Sequence, residues 1–323
     1  MHFRVFLLYL AQNFFRIRVK KAEWVFGFVS LLIILVLSIE KEDRQLLRIR
    51  YVSPHHLDDL VPVNSPDVEP VLYDTLFIDE LALISERKEQ FINQVLPAIL
   101  MVKFELDIQF KEVSYLVGKE QKGLPLTKKE KKYLNHLLSK YKVERAPDLL
   151  IRLKPHPTSL VLAQAAVESG WGLSRFAIEG NNLFGMWSTA TDPNKMLARF
   201  SRGPDKVYVK KYNSVSESIE HYFLTIGRNR AYRSFRLKRF EEANVYQLID
   251  ELNTYSENSD EYTRMLKHII RWNKLERFDR YRIGPRFIPW QTRLKLKILE
   301  VKMRLIGIIH AQQENNEPVK GQE

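Results

Sequence analysis

From Trp24 to Ile39 the chain reads WVFGFVSLLIILVLSI, 16 residues without a charge. As a helix the run spans about 24 Å, a little short of the ~30 Å hydrocarbon core of a bilayer. Glu23 and Glu40 bracket it, and slight thinning of the bilayer brings both to the interfaces. A helix apolar on every side belongs in a membrane or at the centre of a large core, and the flanks favour the membrane. Arg4, Arg16, Arg18, Lys20 and Lys21 precede it with no acid before Glu23. The positive-inside rule then makes residues 1–21 a cytoplasmic basic tail and residues 22–39 a transmembrane anchor. EKEDR follows Ile39 where a cleaved signal would carry small residues, so the anchor is expected to be retained. The remainder is exported, in a bacterium to the periplasmic side of the inner membrane.

That topology narrows the meaning of the charge. Lys and Arg number 51 against 39 for Asp and Glu, a net charge of +12, which calls for polyanionic surroundings. Outside the cytoplasm, nucleic acid is a poor partner; anionic lipid and acidic cell-wall polymer remain. The chain has no cysteine, which excludes disulfide scaffolds, Cys-ligated zinc and thiol nucleophiles. His156, His221 and His268 show no HExxH spacing and no Gly-rich phosphate loop occurs, so neither a metal nor a cofactor is expected.

Prolines at 54, 62, 66 and 70 break any periodicity over residues 40–82, which predicts a partly extended stalk. A helical period starts near Ile84 and runs through Phe91, Val95, Ile99, Val102, Leu106, Phe110 and Val113, interrupted only by Pro97. Thr127 and Glu130 then stand at capping-box spacing before a lysine-rich helix. Residues 83–154 therefore read as a helical extension in front of a domain at 155–288.

That domain opens with Pro157 and Thr158 as helix-entry signals. The helix predicted from Ser159 to Glu168 is apolar nearly all round, which places it at a domain centre. Glu168 sits in its last turn, before Ser169 and the breaker Gly170. There the negative end of the helix dipole and apolar surroundings both raise a carboxyl's pKa, towards a proton donor usable near neutral pH. Gln164, one turn back, lies on the same face and can orient the carboxyl. Gly170, Trp171 and Gly172 make a tight turn with an aromatic wall. Asn181, Asn182, Leu183, Phe184 and Gly185 follow as an amide-bearing turn suited to a neutral sugar.

AQAAVESGWG at 163–172, NNLFGMW at 181–187 and KYNSVSESIEHYF at 211–223 resemble glycoside hydrolase family 73, in its Bax-like, membrane-associated branch. These are bacterial β-N-acetylglucosaminidases that cut peptidoglycan. NRAYRSFR at 229–236 and YSENSDEYTRMLKHII at 255–270 are weaker matches. The resemblance implies a mainly α, lysozyme-like domain with a small β-hairpin lobe, acting on peptidoglycan glycan strands. It makes Glu168 the general acid, places Tyr255 and Tyr262 along the substrate groove with a catalytic part for Tyr262, and adds Trp171, Phe184 and Trp187 to Gln164, Asn181 and Asn182 as substrate contacts.

Family members generally carry a second glutamate on the β lobe, expected here at 188–212. Between Asn182 and Tyr212 the only acids are Asp192 and Asp205, in ThrAspPro and ProAspLys contexts that favour turns. Three outcomes follow: the sugar's own 2-acetamido group is the nucleophile, Asp205 supplies the carboxylate, or the domain is a peptidoglycan-binding scaffold with little or no activity. Finally, Leu294, Ile298, Val301, Leu305 and Ile308 space an amphipathic basic helix within residues 289–323. Packing on the domain and a second contact with the membrane both fit it.

Overall fold

The computed structural model describes residues 46–79, 82–198, 206–252 and 259–307. The anchor segment 22–39, Asp205, Tyr255 and Ile308 lie outside the described residues. Among those described, no helix is long and apolar enough to cross a membrane.

Helix α1, Ile84–Gln121, is the longest element described. It passes straight through Pro97, which costs one backbone hydrogen bond. Val95, Leu96, Ala98 and Ile99 are all buried around it, and that packing outweighs the loss. α2 (Lys128–Tyr141) begins with the expected box: Glu130 N–H donates to Thr127 Oγ1 at 3.2 Å and Thr127 N–H to Glu130 Oε2 at 2.7 Å. The same carboxylate takes Lys119 Nζ at 2.8 Å.

α3 (Ala146–Leu153), α4 (Thr158–Ser169), α5 (Arg175–Gly180) and α6 (Val215–Arg228) follow. α1 packs on α3, α4 and α6. α4 is buried on all sides from Thr158 to Ala166, as its unbroken apolar run predicts. α7 (Arg233–Phe240), α8 (Val245–Asp250) and α9 (Ser259–Trp272) close the helical part, α9 lying against α4. Between α5 and α6 stands a three-stranded antiparallel sheet in which β4 (Trp187–Ser188) and β5 (Lys195–Leu197) flank β6 (Tyr208–Lys210). This is the small β lobe.

Residues 46–79, expected as a stalk, are built into the domain. β1 (Arg50–Val52) pairs in parallel with β3 (Val71–Tyr73), and β2 (Asp67–Val68) with β7 (Arg282–Ile283). Prolines hide these short strands from a periodicity reading, and between and after them α1 side chains take up the backbone groups that no strand pairs. Gln94, wholly buried, accepts from Phe77 N–H at 2.8 Å and donates back to Phe77 O at 2.8 Å. Asn93 accepts from Val63 N–H at 2.9 Å.

The last helix, α10 (Trp290–Leu305), docks on α1 through Thr292, Leu299 and Met303. Lys295 meets Glu112 at 2.8 Å. The packed face is thus rotated from the expected stripe, and Val301 and Leu305 remain exposed.

Candidate active site

Glu168 lies where the buried helix α4 meets a backbone turn. The turn is held from inside: Ser169 Oγ donates to Ala165 O at 2.5 Å and accepts from Gly172 N–H at 2.8 Å. Gly170, Trp171 and Gly172 all adopt positive φ, of 58°, 58° and 83°, uncommon for a tryptophan. At Gly172 a Cβ would come within 3.1 Å of Phe91 and 3.3 Å of Ile78, so glycine is required by space as well as by conformation. Trp171 packs edge-on against Phe91 with ring centres 5.6 Å apart, and Lys88 Nζ lies 5.0 Å from its ring centre.

The Glu168 carboxyl is half-buried and hydrogen-bonded to the Tyr262 hydroxyl. Burial raises its pKa above the ordinary carboxylate value, while the tyrosine bond works in the opposite direction. Gln164, one turn back and fully buried, donates from Nε2 to Tyr262 Oη at 3.0 Å. Three expected residues, Glu168, Gln164 and Tyr262, are therefore one hydrogen-bonded group. Tyr262 stands on the inner face of α9, buried with Leu266 and Ile270.

Other expected contacts turn inward. Asn181 caps α5 with φ 51° and donates to Asp74 O at 2.7 Å and Tyr212 O at 3.2 Å. Asn182 donates to Met186 O at 3.0 Å and Lys210 O at 2.8 Å, and accepts from Met186 N–H at 2.9 Å. These amides tie α5 to the β lobe, and their donors are spent within the protein. Phe184 is buried and stacks on Tyr222 with ring centres 4.2 Å apart. Trp187 on β4 is 78% exposed and offers a free ring. Asp192 is a turn former: it accepts from Ser188 Oγ at 2.8 Å and Asn194 N–H at 2.9 Å. Those two bonds, the Asn194 N–H first, hold its carboxyl below the usual range.

Tyr222 and Tyr232 also lie close enough for the Glu168 charge to raise their pKa, burial being the larger cause in each. By helical spacing Tyr222 falls on the apolar face of α6, with Ile219, Phe223 and Ile226. A hydroxyl on such a face is the one signal that could have marked it, since a buried hydroxyl needs a partner. Among the described residues no cluster of three or more His, Asp or Glu side chains is placed to hold a metal ion.

The glucosaminidase family model, described as mannosyl-glycoprotein endo-beta-N-acetylglucosaminidase, matches residues 145–275. That stretch contains α4, the β lobe and Tyr262. Protein bax of Escherichia coli (strain K12) is 31% identical over 195 residues, which are 56% of this chain and 67% of that protein. The chain belongs to the glucosaminidase family. It is a glycoside hydrolase of the endo-β-N-acetylglucosaminidase type. Among solved structures it is similar to the glycoside hydrolase domain of Salmonella typhimurium FlgJ, at 25% identity, covering 43% of this chain and 87% of that one with a TM-score of 0.31. A peptidoglycan hydrolase from Sphingomonas sp. A1 aligns at 22% identity over 38% of this chain and 79% of its own, also with a TM-score of 0.31.

Proposed function

We propose that this glucosaminidase is a membrane-anchored peptidoglycan hydrolase that cuts the β-1,4 bond following N-acetylglucosamine, with Glu168 as the general acid. One observation carries the reading: Glu168 is the carboxyl at the end of the buried helix, its pKa raised by burial, and Tyr262 holds it. A carboxyl that keeps its proton nearer neutral pH can protonate a leaving glycosidic oxygen. The uncharged run at 24–39, behind a basic tail, supports an inner-membrane anchor with the domain in the periplasm.

The second catalytic group is proposed to come from the substrate. Asp192 is bound into its turn and Asp205 stands in the turn-forming ProAspLys context, which together support the 2-acetamido group as the internal nucleophile that stabilises the oxocarbenium-like state. Trp187, with its ring exposed, stacks on a sugar, as does the free part of Trp171. A peptidoglycan-binding scaffold is the competing reading, favoured by the commitment of Asp192 elsewhere.

Digestion of purified sacculi by the full-length protein in detergent separates the two. Mass spectrometry should find products ending in reducing N-acetylglucosamine. Glu168→Gln should bind sacculi but release products at least ~10²-fold more slowly, the scale of lost general-acid catalysis. Products ending in N-acetylmuramic acid, or full turnover by Glu168→Gln, would overturn the assignment. Binding without any release by the parent protein would establish the scaffold.

A further inference from the structure

Behind Gln164 the hydrogen bonds continue into the core. Tyr222, fully buried, donates its hydroxyl hydrogen to Gln164 Oε1. His156 Nε2 lies 2.8 Å from the Tyr222 oxygen, and Arg239 Nη1 lies 3.4 Å from His156 Nδ1. Both residues are buried. Arg239 is held in place by Ile151 O, which accepts from its Nη2 at 2.6 Å.

The direction of each joint follows from what its members can do. A guanidinium only donates, so His156 Nδ1 accepts and carries no hydrogen. His156 is neutral, its pKa pushed well below normal by burial and then by Arg239 and Lys103, so its one hydrogen is on Nε2 and goes to Tyr222. The Tyr222 hydrogen then goes to Gln164 Oε1, which turns the amide nitrogen towards Tyr262. A flipped amide would face the Tyr222 oxygen with a second donor and leave the tyrosine's own hydrogen without an acceptor. The Tyr262 oxygen receives from Gln164, and its hydroxyl is hydrogen-bonded to Glu168 in the sense that lowers the carboxyl's pKa, that of a donor.

We propose that Arg239, His156, Tyr222 and Gln164 form a one-way hydrogen-bond chain that keeps Tyr262 a donor to Glu168. The acid's own proton is thereby carried on the carboxyl oxygen that Tyr262 does not touch. The inference rests on Glu168 being the general acid. The four residues are positioning residues: they touch no substrate and act through Tyr262. Without the polarity they impose, Tyr262 can rotate to accept from Glu168, and the transferable proton is turned into the protein. Among the described residues, the titratable groups that feel the Glu168 charge are Tyr262 from α9, Tyr222 from α6 and Tyr232 from the turn between α6 and α7. Among them Tyr262 is the one hydrogen-bonded to it.

The test is the pH dependence of turnover by the full-length protein on solubilised glycan strands. Tyr222→Phe keeps the ring and removes the joint. Expected are a fall in kcat of about tenfold with KM within twofold, and an alkaline limb moved up by about half a unit or more, because the Glu168 carboxylate loses its donor. In a Tyr262→Phe background the same change should do nothing further. An unmoved limb, or losses that add independently in the double variant, would overturn the chain. Should Tyr222→Phe fail to fold, nitrogen-15 NMR of the unaltered protein reads the His156 tautomer. Hydrogen on Nε2 is expected, and hydrogen on Nδ1 would overturn the proposal. Glu168→Gln separates the two levels: retained turnover there brings down the functional reading, whereas lost turnover with an unmoved limb in Tyr222→Phe brings down the chain alone.

Discussion

Two arginines finish helix α6, and removing one should show how much its end depends on them. Arg236 Nη1 donates to Ile226 O and Asn229 O, each at 2.7 Å. Arg152 Nη1 donates to Gly227 O and Arg228 O, each at 2.8 Å. Four consecutive carbonyls at the negative end of the dipole are thus met by two guanidiniums, and only the last of them, Asn229 O, also accepts from the following turn, through Tyr232 N–H at 3.3 Å. Arg236 is buried, and burial followed by its neighbour Arg152 pulls its pKa to about 10. In Arg236→Met both carbonyls lose a charge-assisted donor, but Asn229 is exposed and its carbonyl keeps the Tyr232 N–H, so Ile226 O is the buried acceptor left unmet, at a cost of about 1–3 kcal/mol. Sparing the desolvation of a guanidinium offsets part of this. The net loss expected is about 1–2 kcal/mol, a melting point lower by roughly 2–6 °C for a unit of this size. Arg236→Lys keeps the charge but not the planar fork, and should fall between. Far-UV circular dichroism during thermal denaturation reads both. A loss in Arg236→Met below about 0.5 kcal/mol would mean that water already serves these carbonyls, and the capping argument would be wrong.

Asp192→Asn should leave turnover within about an order of magnitude and lower the melting point only slightly; a collapse of turnover at unchanged melting point would make Asp192 the second carboxylate. In Gly227→Ala the new Cβ would stand 2.9 Å from Tyr141 Cε1 and 3.3 Å from Arg152 O. The crowding should cost about 1–3 kcal/mol despite alanine's better helix propensity, and an unchanged or higher melting point would show that the contact yields. Trp187→Ala should leave the melting point alone and weaken glycan binding about two- to tenfold, the scale of one stacked ring; unchanged binding in a sedimentation assay would remove Trp187 from the groove.

Helix α4 was legible because an unbroken apolar run ending in SerGlyTrpGly has one home, the centre of a domain. Glu168 inherits its place from that run. Asn181 and Asn182 were not legible in the same way. An amide in a turn looks alike in sequence whether it faces a sugar or a carbonyl, and the partners here, Asp74 and Lys210, are 107 and 28 residues away. Residues 46–79 hid for a related reason, since their backbone pairs with α1 side chains as well as with other strands. On α10 the spacing identified a helix but not its buried face, because the apolar stripe is wide and contact with α1 at Lys295–Glu112 selects among its rows. The polar core behind Glu168 was invisible because Tyr222 shares its helix face with apolar residues and nothing in the sequence links it to His156, 66 residues away.

The two ends of α4 treat charge in opposite ways, and this has a pH signature. At the start, Asp279 accepts from Ser159 N–H and Oγ at 2.8 Å each, a negative group at the positive end of the dipole. At the finish, Glu168 is a carboxyl where the dipole is negative, and burial raises its pKa above the ordinary 4.5. Above that value the unfolded chain has given up its proton while the folded protein still holds it. The folded state therefore binds more protons in this window, and its stability falls as pH rises. The contribution is fully present below the unfolded value and is lost as pH climbs through the raised one. Glu168→Gln never acquires the charge and keeps an oxygen for Tyr262. Its melting point should exceed the parent's at neutral pH, and the difference should shrink on acidification and vanish below about pH 4.5. A glutamine variant that melts lower than the parent at neutral pH would mean that the carboxylate is welcome where it stands, and the case for a proton held ready for transfer would go with it.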